Sequence, residues 1–329
     1  MCGSAGIIRY MNEVAKKASQ GVQVVEIAED QDGQRVDNYL VRLLGGLPKT
    51  RIYRLLRKGE IRVNKGRIKP NHRLKTGDMV RIPPIRLEEG GNTKVPQGLM
   101  KEIGASILFE NEDCLVLNKP AGLAVHGGSG LRFGLLDVVK AIRPNDGYME
   151  LVHRLDRETS GCLLLAKNRK TLTFLHEQFK QGKVIKKYLA GVIGSWQVGK
   201  MTITAPLRKN TLQGGERMVE VHEDGKAATS HFSLLQHYKG LSLMEVVLET
   251  GRTHQIRVHA AHQGHAIAGD KKYGDKEQNQ RLKAKGLKHL FLHSHWLEFM
   301  LPGQSDALQI TTPLPPELQA VLTNLETKN

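Results

Sequence analysis

Cysteine is scarce: the 329 residues hold only Cys2, Cys114 and Cys162. They lie far apart, form no C-x-x-C and make an odd number, so neither a disulfide framework nor a zinc site is expected. Cys114 and Cys162 stand inside apolar runs and read as buried thiols of strands. No apolar run is long enough to span a bilayer, and Ile7-Ile8 is the longest strongly apolar run of the first 21 residues, too short for a leader. A membrane association is therefore not expected, and the cytoplasm is the default location. Nucleotide signatures are also missing. There is no G-x-x-x-x-G-K-[ST], and Gly127-Gly128-Ser129-Gly130 lacks the third glycine of a dinucleotide turn. Without a G-x-S-x-G elbow, a serine nucleophile on a strand-to-helix turn is not supported either.

What is abundant is positive charge. The net charge is +16 with pI about 9.7, which points to an anionic partner, most commonly nucleic acid. Residues 33–86 hold fifteen Lys and Arg against Asp37, Glu60 and Asp78, a net +12 in about one sixth of the chain. Upstream, residues 1–21 show no lasting period and read as a mobile tail. Within the basic segment the pattern predicts helices over Arg35–Leu44 and Lys49–Lys58, with Pro48 suited to a first turn and Gly59 to a C-terminal cap. A strand over Ile61–Asn64, a turn at Lys65-Gly66 and a strand over Met79–Ile82 follow. In the second helix Ile52, Leu55 and Leu56 share one face, while Arg51, Arg54 and Lys58 share another. A charged helical face is usually solvated surface. Here Lys49 precedes it and Lys65, Arg67 and Lys69 follow in the loop, so the cations form a patch suited to a phosphate backbone. No aromatic residue interrupts that loop, which favours shape and phosphate recognition over base stacking.

Residues 87–105 contain Glu88-Glu89-Gly90-Gly91-Asn92 and Pro96-Gln97-Gly98 with few large apolar residues, and read as a flexible linker. From residue 106 to 325, strand-length apolar runs recur at 107–109, 115–117, 163–166, 188–193, 232–235, 243–248 and 290–296. Helical patterns are fewer, at 172–179, 253–264 and 316–325. Without a regular βα alternation, the expected class is α+β: a mixed, mostly antiparallel sheet with peripheral helices, preceded by a small α-β domain over 22–86.

Four polar segments interrupt these runs. His153-Arg154-Leu155-Asp156-Arg157-Glu158-Thr159-Ser160-Gly161 lies between two apolar runs, and Arg154 and Arg157 flank Asp156, which favours its ionised form. Asp156 is then either a nucleophile or a structural ion-pair partner. Asn118-Lys119-Pro120-Ala121-Gly122 reads in isolation as an ordinary turn. Lys186-Lys187-Tyr188-Leu189-Ala190 places a tyrosine at the start of a strand, and Gly251-Arg252-Thr253-His254-Gln255-Ile256-Arg257-Val258-His259 leads a glycine turn into a helix. A metal site on His254, His259, His262 and His265 is disfavoured, because no cysteine is near and Arg252 and Arg257 would repel a cation.

Taken in order, K-P-x-G, H-R-L-D-x-x-T-S-G, K-x-Y-x-A and G-R-T-H-Q-I-R-V-H resemble the RluA group of pseudouridine synthases of the ribosomal large subunit. The segment from Gly33-Gln34-Arg35-Val36-Asp37 to Leu74-Lys75-Thr76-Gly77-Asp78 resembles the S4 RNA-binding domain. Together the resemblance covers about residues 22–325 and implies a pseudouridine synthase fold over 106–325. It implies isomerisation of uridine to pseudouridine in large-subunit (23S) ribosomal RNA, with Asp156 as catalytic nucleophile or base. It also implies that Tyr188 packs on the target base and helps remove its C5 proton, and that Arg257 pairs with Asp156. His153, Arg154, Arg252 and His254 become substrate-binding candidates. Glu158 stands where some relatives have aspartate, a change expected to be silent.

The reaction breaks the N1–C1′ bond, turns the uracil and joins C5 to C1′, so it needs no redox cofactor, nucleotide or metal. The uridine must leave its stack before a carboxylate can reach it. A monomer is expected, since the chain carries its own core and RNA module. The reading from another class is a non-catalytic ribosomal-RNA-binding assembly factor, which would not require Asp156, Tyr188 and Arg257 together.

Overall fold

The computed structural model describes residues 21–44, 47, 49–85, 95–127, 133–211 and 217–325. The tail expected over 1–21 (save Gly21), Pro48, the first half of the linker and Gly128-Ser129-Gly130 lie outside the described residues. The chain divides into two compact units, one running to Lys94 and including Pro144–Gly147, the other comprising Val95–Arg143 and Tyr148 onward.

In the N-terminal unit β1 (Gln23–Glu26), β3 (Met79–Ile82) and β2 (Arg62–Val63) form a small antiparallel sheet in that order. Helices α1 (Val36–Leu43) and α2 (Lys49–Lys58) pack against each other. The apolar face read from the sequence is the buried one: Ile52 is fully buried and Leu55 and Leu56 nearly so, joining Val36, Leu40, Val80 and Ile82 in one core. Helix α2 stops at Gly59, whose φ of +69° suits the left-handed residue after a helix. The tight turn after β2 is centred on Asn64 and Lys65, both at positive φ, one residue earlier than expected, with Val63 and Gly66 exchanging backbone hydrogen bonds.

The C-terminal unit is built on one ten-stranded sheet. Its main path runs β4 (Ile107–Glu110), β5 (Cys114–Lys119), β7 (Ser160–Ala166), β14 (Leu292–Phe299), β8 (Ile185–Ile193), β13 (Leu241–Leu248), β12 (Thr229–Tyr238), β9 (Lys200–Thr204). Short β6 (Glu150–Leu151) pairs with β7, and β15 (Leu308–Thr311) with β14. Only β7 and β14 run parallel, so the sheet is mixed and mostly antiparallel as expected. Strand β7 is buried throughout, hence its unbroken Cys162–Ala166 apolar run. Gly161 is required where it crosses β14: its φ is +109°, and a Cβ there would overlap the Ser294 backbone. Helices α5 (Arg169–Lys180), α6 (Gln255–His262) and α8 (Pro316–Thr323) match the expected periods, α5 extending past both expected ends and the other two stopping short of theirs.

The expected flexible linker is corrected in its second half. Gln97–Ala105 forms α3, which buries Ile103 completely and packs Leu99 and Met100 on the main core. Pro96 and Gly98 read as loop residues, yet Pro96 sits at the helix N-cap, where its ring costs no hydrogen bond. Helices α4 (Leu135–Ile142) and α7 (Lys276–Ala284) and the ribbon of β10 (Leu207–Thr211) with β11 (Arg217–Val221) are further elements that the apolar runs did not single out.

Candidate active site

Asp156 stands on the loop between β6 and β7. That loop is tied to the Lys119–Leu123 turn at the end of β5: the Gly122 N–H and the Lys119 ammonium both donate to the Arg157 carbonyl, at 2.9 and 3.0 Å. Lys119 also donates to the Pro120 and Leu123 carbonyls at 2.8 Å, so all three of its N–H groups have acceptors. Burial pulls the Lys119 pKa down to about 7, with Glu158 and Asp156 opposing the shift. Three carbonyl acceptors suit the ammonium better than the amine, which has one donor fewer. The K-P-x-G segment is thus the underside of the aspartate loop.

The side chains against Asp156 come from α6 and its leading turn, 101 and 98 residues downstream. Arg257 Nη1 donates to Asp156 Oδ2 at 3.2 Å, and His254 Nε2 lies 3.7 Å from the same oxygen. The expectation that the sequence neighbours hold this carboxylate is corrected for Arg157, whose guanidinium turns to the Gly122 carbonyl and Glu158. Arg154 is exposed and lines the pocket.

Behind Arg257 sits Asp270, fully buried, accepting Nε at 2.7 Å and Nη2 at 2.9 Å. The backbone N–H groups of Lys272 and Tyr273 donate to Asp270 at 2.8 and 3.0 Å. Burial would raise the Asp270 pKa and lower that of Arg257. Their mutual bonds outweigh it, so Asp270 is held below the usual carboxylate range and Arg257 above its ordinary value. The Tyr273 ring lies 5.0 Å from the guanidinium, and its hydroxyl is 2.7 Å from His254 Nδ1. That hydroxyl also accepts the Val219 N–H. Burial, first, and Arg257 lower the His254 pKa while Asp156 raises it; the net direction is downward, toward the neutral ring.

Tyr188, on β8 between Ser294 of β14 and Val246 of β13, is 7% exposed and lines the same open pocket as Asp156, Arg257, His254, Leu248 and Leu292. Burial pushes its phenol up to about 12, with the Ser294 hydrogen bond opposing and Asp156 adding to the rise. Its ring is therefore a wall of the pocket, and its hydroxyl is protonated at neutral pH.

Among the substrate-binding candidates, Arg154, Arg252 and His254 reach the pocket, and Arg252 donates Nε to the Ala227 carbonyl. His153 does not. It stacks on Phe179 at 5.2 Å, accepts the Leu164 N–H through Nε2, and is held down to about pKa 3 mainly by burial and then by Lys186. The histidine run also disperses. His259 is fully buried between Ser230 and the Ala205 carbonyl, and His265 bonds the Ile193 carbonyl. Among the described residues no group of three His, Cys, Asp or Glu side chains could hold a metal ion. On the N-terminal unit, Lys49, Arg54, Lys58, Lys65, Arg67 and Lys69 are exposed and Arg51 is partly so.

Three site residues escaped the sequence reading: Asp270, Tyr273 and Gln255. Gln255 is 2% exposed and uses both ends of its amide, accepting from Thr250 and the Arg252 N–H and donating to Thr229 and Ser230. It fixes the turn that carries His254, which sits at a left-handed φ of 55°.

Residues 113–262 match the RNA pseudouridylate synthase family model and residues 34–80 the S4 domain model. The ribosomal large subunit pseudouridine synthase C of Pasteurella multocida is 49% identical over 93% of this chain and 95% of its own length. The protein of that name from Escherichia coli strain K12 is 47% identical over 94% of this chain and 98% of its own. Two solved human proteins, RNA pseudouridylate synthase domain containing 1 and 4, superpose with TM-scores of 0.58 and 0.57 at 25% and 27% identity. They cover 68% and 70% of this chain, and 89% and 98% of their own. With full-length relatives at this identity, a matching family model and the same fold, the chain belongs to the RNA pseudouridylate synthase family.

Proposed function

We propose that this enzyme converts uridine to pseudouridine in large-subunit ribosomal RNA and that Asp156 is its catalytic carboxylate. The observation that carries the reading is the pocket in which Arg257, fixed by Asp270, presents one N–H to Asp156 at 3.2 Å beside the buried ring of Tyr188. The names of the full-length relatives supply the substrate class.

A flipped uridine enters with its base against Tyr188, Leu248 and Leu292 and its sugar toward Asp156. In the nucleophilic route one Asp156 oxygen attacks C1′ and the N1–C1′ electron pair leaves on the uracil. The base turns in the pocket, C5 bonds to C1′ and the carboxylate departs. In the glycal route the same carboxylate removes the C2′ proton as the N1–C1′ pair leaves on the uracil, giving a C1′=C2′ double bond, and it returns that proton to C2′ as C5 bonds to C1′. Either way C5 loses its proton, and the buried Tyr188 phenol is no phenolate base at neutral pH. Asp156, free again once the new bond has formed, is the acceptor within the pocket. The charged Arg257 steadies the carboxylate through both changes of charge, with the His254 ring beside it. The +12 N-terminal segment supplies affinity for the RNA backbone. We further propose that the enzyme acts as a cytoplasmic monomer; among the described residues no helix is long and apolar enough to cross a membrane.

The test is Asp156→Asn on C5-tritiated large-subunit RNA. Tritium release should be lost with RNA affinity unchanged, and release at the wild-type rate would overturn the role of Asp156. A deletion strain that keeps all its large-subunit pseudouridines but accumulates immature subunits would favour the assembly-factor reading instead.

A further inference from the structure

The N-terminal unit carries one exposed aromatic ring among its described residues. Tyr39 is buried at 1% exposure, whereas Tyr53, in the middle of α2, is 42% exposed. Its surroundings are cationic: Lys49, Arg54 and Arg57 are all exposed on the same short helix. Lys49 and Arg57 stand one turn to either side of it.

The ring is also fixed. The Tyr53 hydroxyl donates to Asp37 Oδ2 at 3.1 Å, across from α2 to the first turn of α1. Asp37 is 3% exposed and is itself immobilised, accepting Arg35 Nε at 3.1 Å, Arg35 Nη2 at 2.7 Å and the Asn38 N–H at 2.9 Å. A buried carboxylate with four donors thus holds one edge of an aromatic side chain that is 42% exposed to water. The hydroxyl's bond to Asp37, followed by burial, raises the Tyr53 pKa, so the phenol remains the donor. An exposed tyrosine normally samples several rotamers, and ordering it on binding costs free energy. A ring already held in place avoids that cost, and a flat π face amid cations complements an unpaired nucleobase whose phosphates the cations neutralise.

Resting on the RNA reading above, we propose that Tyr53 is a base-stacking residue of the N-terminal unit. The Arg35–Asp37 pair orients it, and it takes one unpaired nucleotide of the ribosomal RNA between the phosphate contacts of Lys49 and Arg57. The helix then reads an RNA feature that charge alone cannot read: a base free of its helical stack. The basic loop holds no aromatic residue; the ring stands on the helix before it.

Stacking and phosphate contacts separate by salt. Removing a phosphate contact lowers the slope of log affinity against log salt by about one, whereas removing a stacked ring lowers affinity at every salt concentration. The full chain is titrated with a deproteinised 23S ribosomal RNA transcript across a KCl series, for wild type, Tyr53→Ala, Tyr53→Leu, Tyr53→Phe and Lys49→Ala. The expected result is a loss of about tenfold to a hundredfold for Tyr53→Ala and Tyr53→Leu with the wild-type salt slope. Tyr53→Phe keeps the ring and should stay within about fivefold of wild type, and Lys49→Ala should reduce the slope. Wild-type affinity in Tyr53→Ala, a reduced slope, or a Phe variant as weak as Ala overturns the stacking role. The Leu variant guards against a helix loosened by the smaller side chain. A wild-type chain that does not bind the transcript at all overturns the RNA reading itself, a distinct outcome.

Discussion

Asp270→Asn tests whether the active site is held from behind. The carboxylate accepts four N–H groups: two from Arg257 and one each from the Lys272 and Tyr273 backbones. An asparagine of the same shape can keep its oxygen at Oδ1, where both backbone donors and Nη2 converge, but then turns its amide N–H₂ toward Arg257 Nε at a 2.7 Å contact. Two donors cannot share that space, so the guanidinium must swing and its Nη1 leaves the 3.2 Å bond to Asp156. Removing one member of a buried ion pair costs ~3–5 kcal/mol. Here Arg257, at 11% side-chain exposure, keeps Asp156 as a counter-charge and the oxygen keeps most donors, so a stability loss of about 2–3 kcal/mol is expected. Misplacing a catalytic group by about 1 Å lowers the rate by about a hundredfold. The assay is single-turnover tritium release alongside RNA affinity and urea unfolding, all well below the melting temperature. The expected pattern is the rate loss with unchanged affinity. A rate within about threefold of wild type, in a variant that unfolds at the lower urea concentration, would show that Asp270 serves stability alone.

Gly161→Ala should cost about 2–5 kcal/mol, because the residue must hold φ at +109° and its new Cβ would meet the Ser294 backbone where β7 runs parallel to β14. Urea unfolding measures it, and a loss below about 1 kcal/mol would mean that the two strands can part at little cost. Acid should weaken the fold from about pH 6.5 downward. Burial holds His153 at about 3 and His293 at about 4, so the unfolded chain takes up protons before the folded chain does, and stability falls as pH drops through that window. The slope is up to about 1.4 kcal/mol per pH unit for each histidine, and His293→Gln should make it shallower; a stability flat between pH 6.5 and 4 would refute the assignment.

The parts of the site that could be read from the chain were those whose identity is local. Asp156, Tyr188, His254 and Arg257 stand in three short polar interruptions of the apolar runs, the last two sharing one, and the sheet brings the three interruptions to one pocket. Asp270 carried no such mark. It lies in Gly269-Asp270-Lys271-Lys272-Tyr273-Gly274, a stretch that reads as a basic turn, and its importance appears only when α6 packs above it. His153 shows the opposite failure: it shares a motif with Asp156, but one residue can face the pocket while a near neighbour faces the core. Helix α3 was hidden by Pro96 and Gly98, which signal loops by composition yet are tolerated at a helix start. The β10–β11 ribbon mixes charged, polar and small residues, so no apolar period announced it.

Electrostatics give these pieces their depth order. An enzyme for RNA must attract a polyanion and then bring a carboxylate against one of its sugars, and the two demands oppose each other. Arg154 and Arg252 meet the first at the exposed rim of the pocket. Further in, Arg257 is shared between Asp156 and Asp270, and His254 is neutral, so the inner cluster carries a net charge of about −1 where only an uncharged base and sugar need to enter. Had Asp270 been absent, the guanidinium would belong to Asp156 alone and would hold it in a tighter pair. Binding two of the three guanidinium nitrogens to Asp270 leaves Asp156 a single end-on hydrogen bond, which orients it and, in the proposed reaction, keeps a lone pair for the sugar.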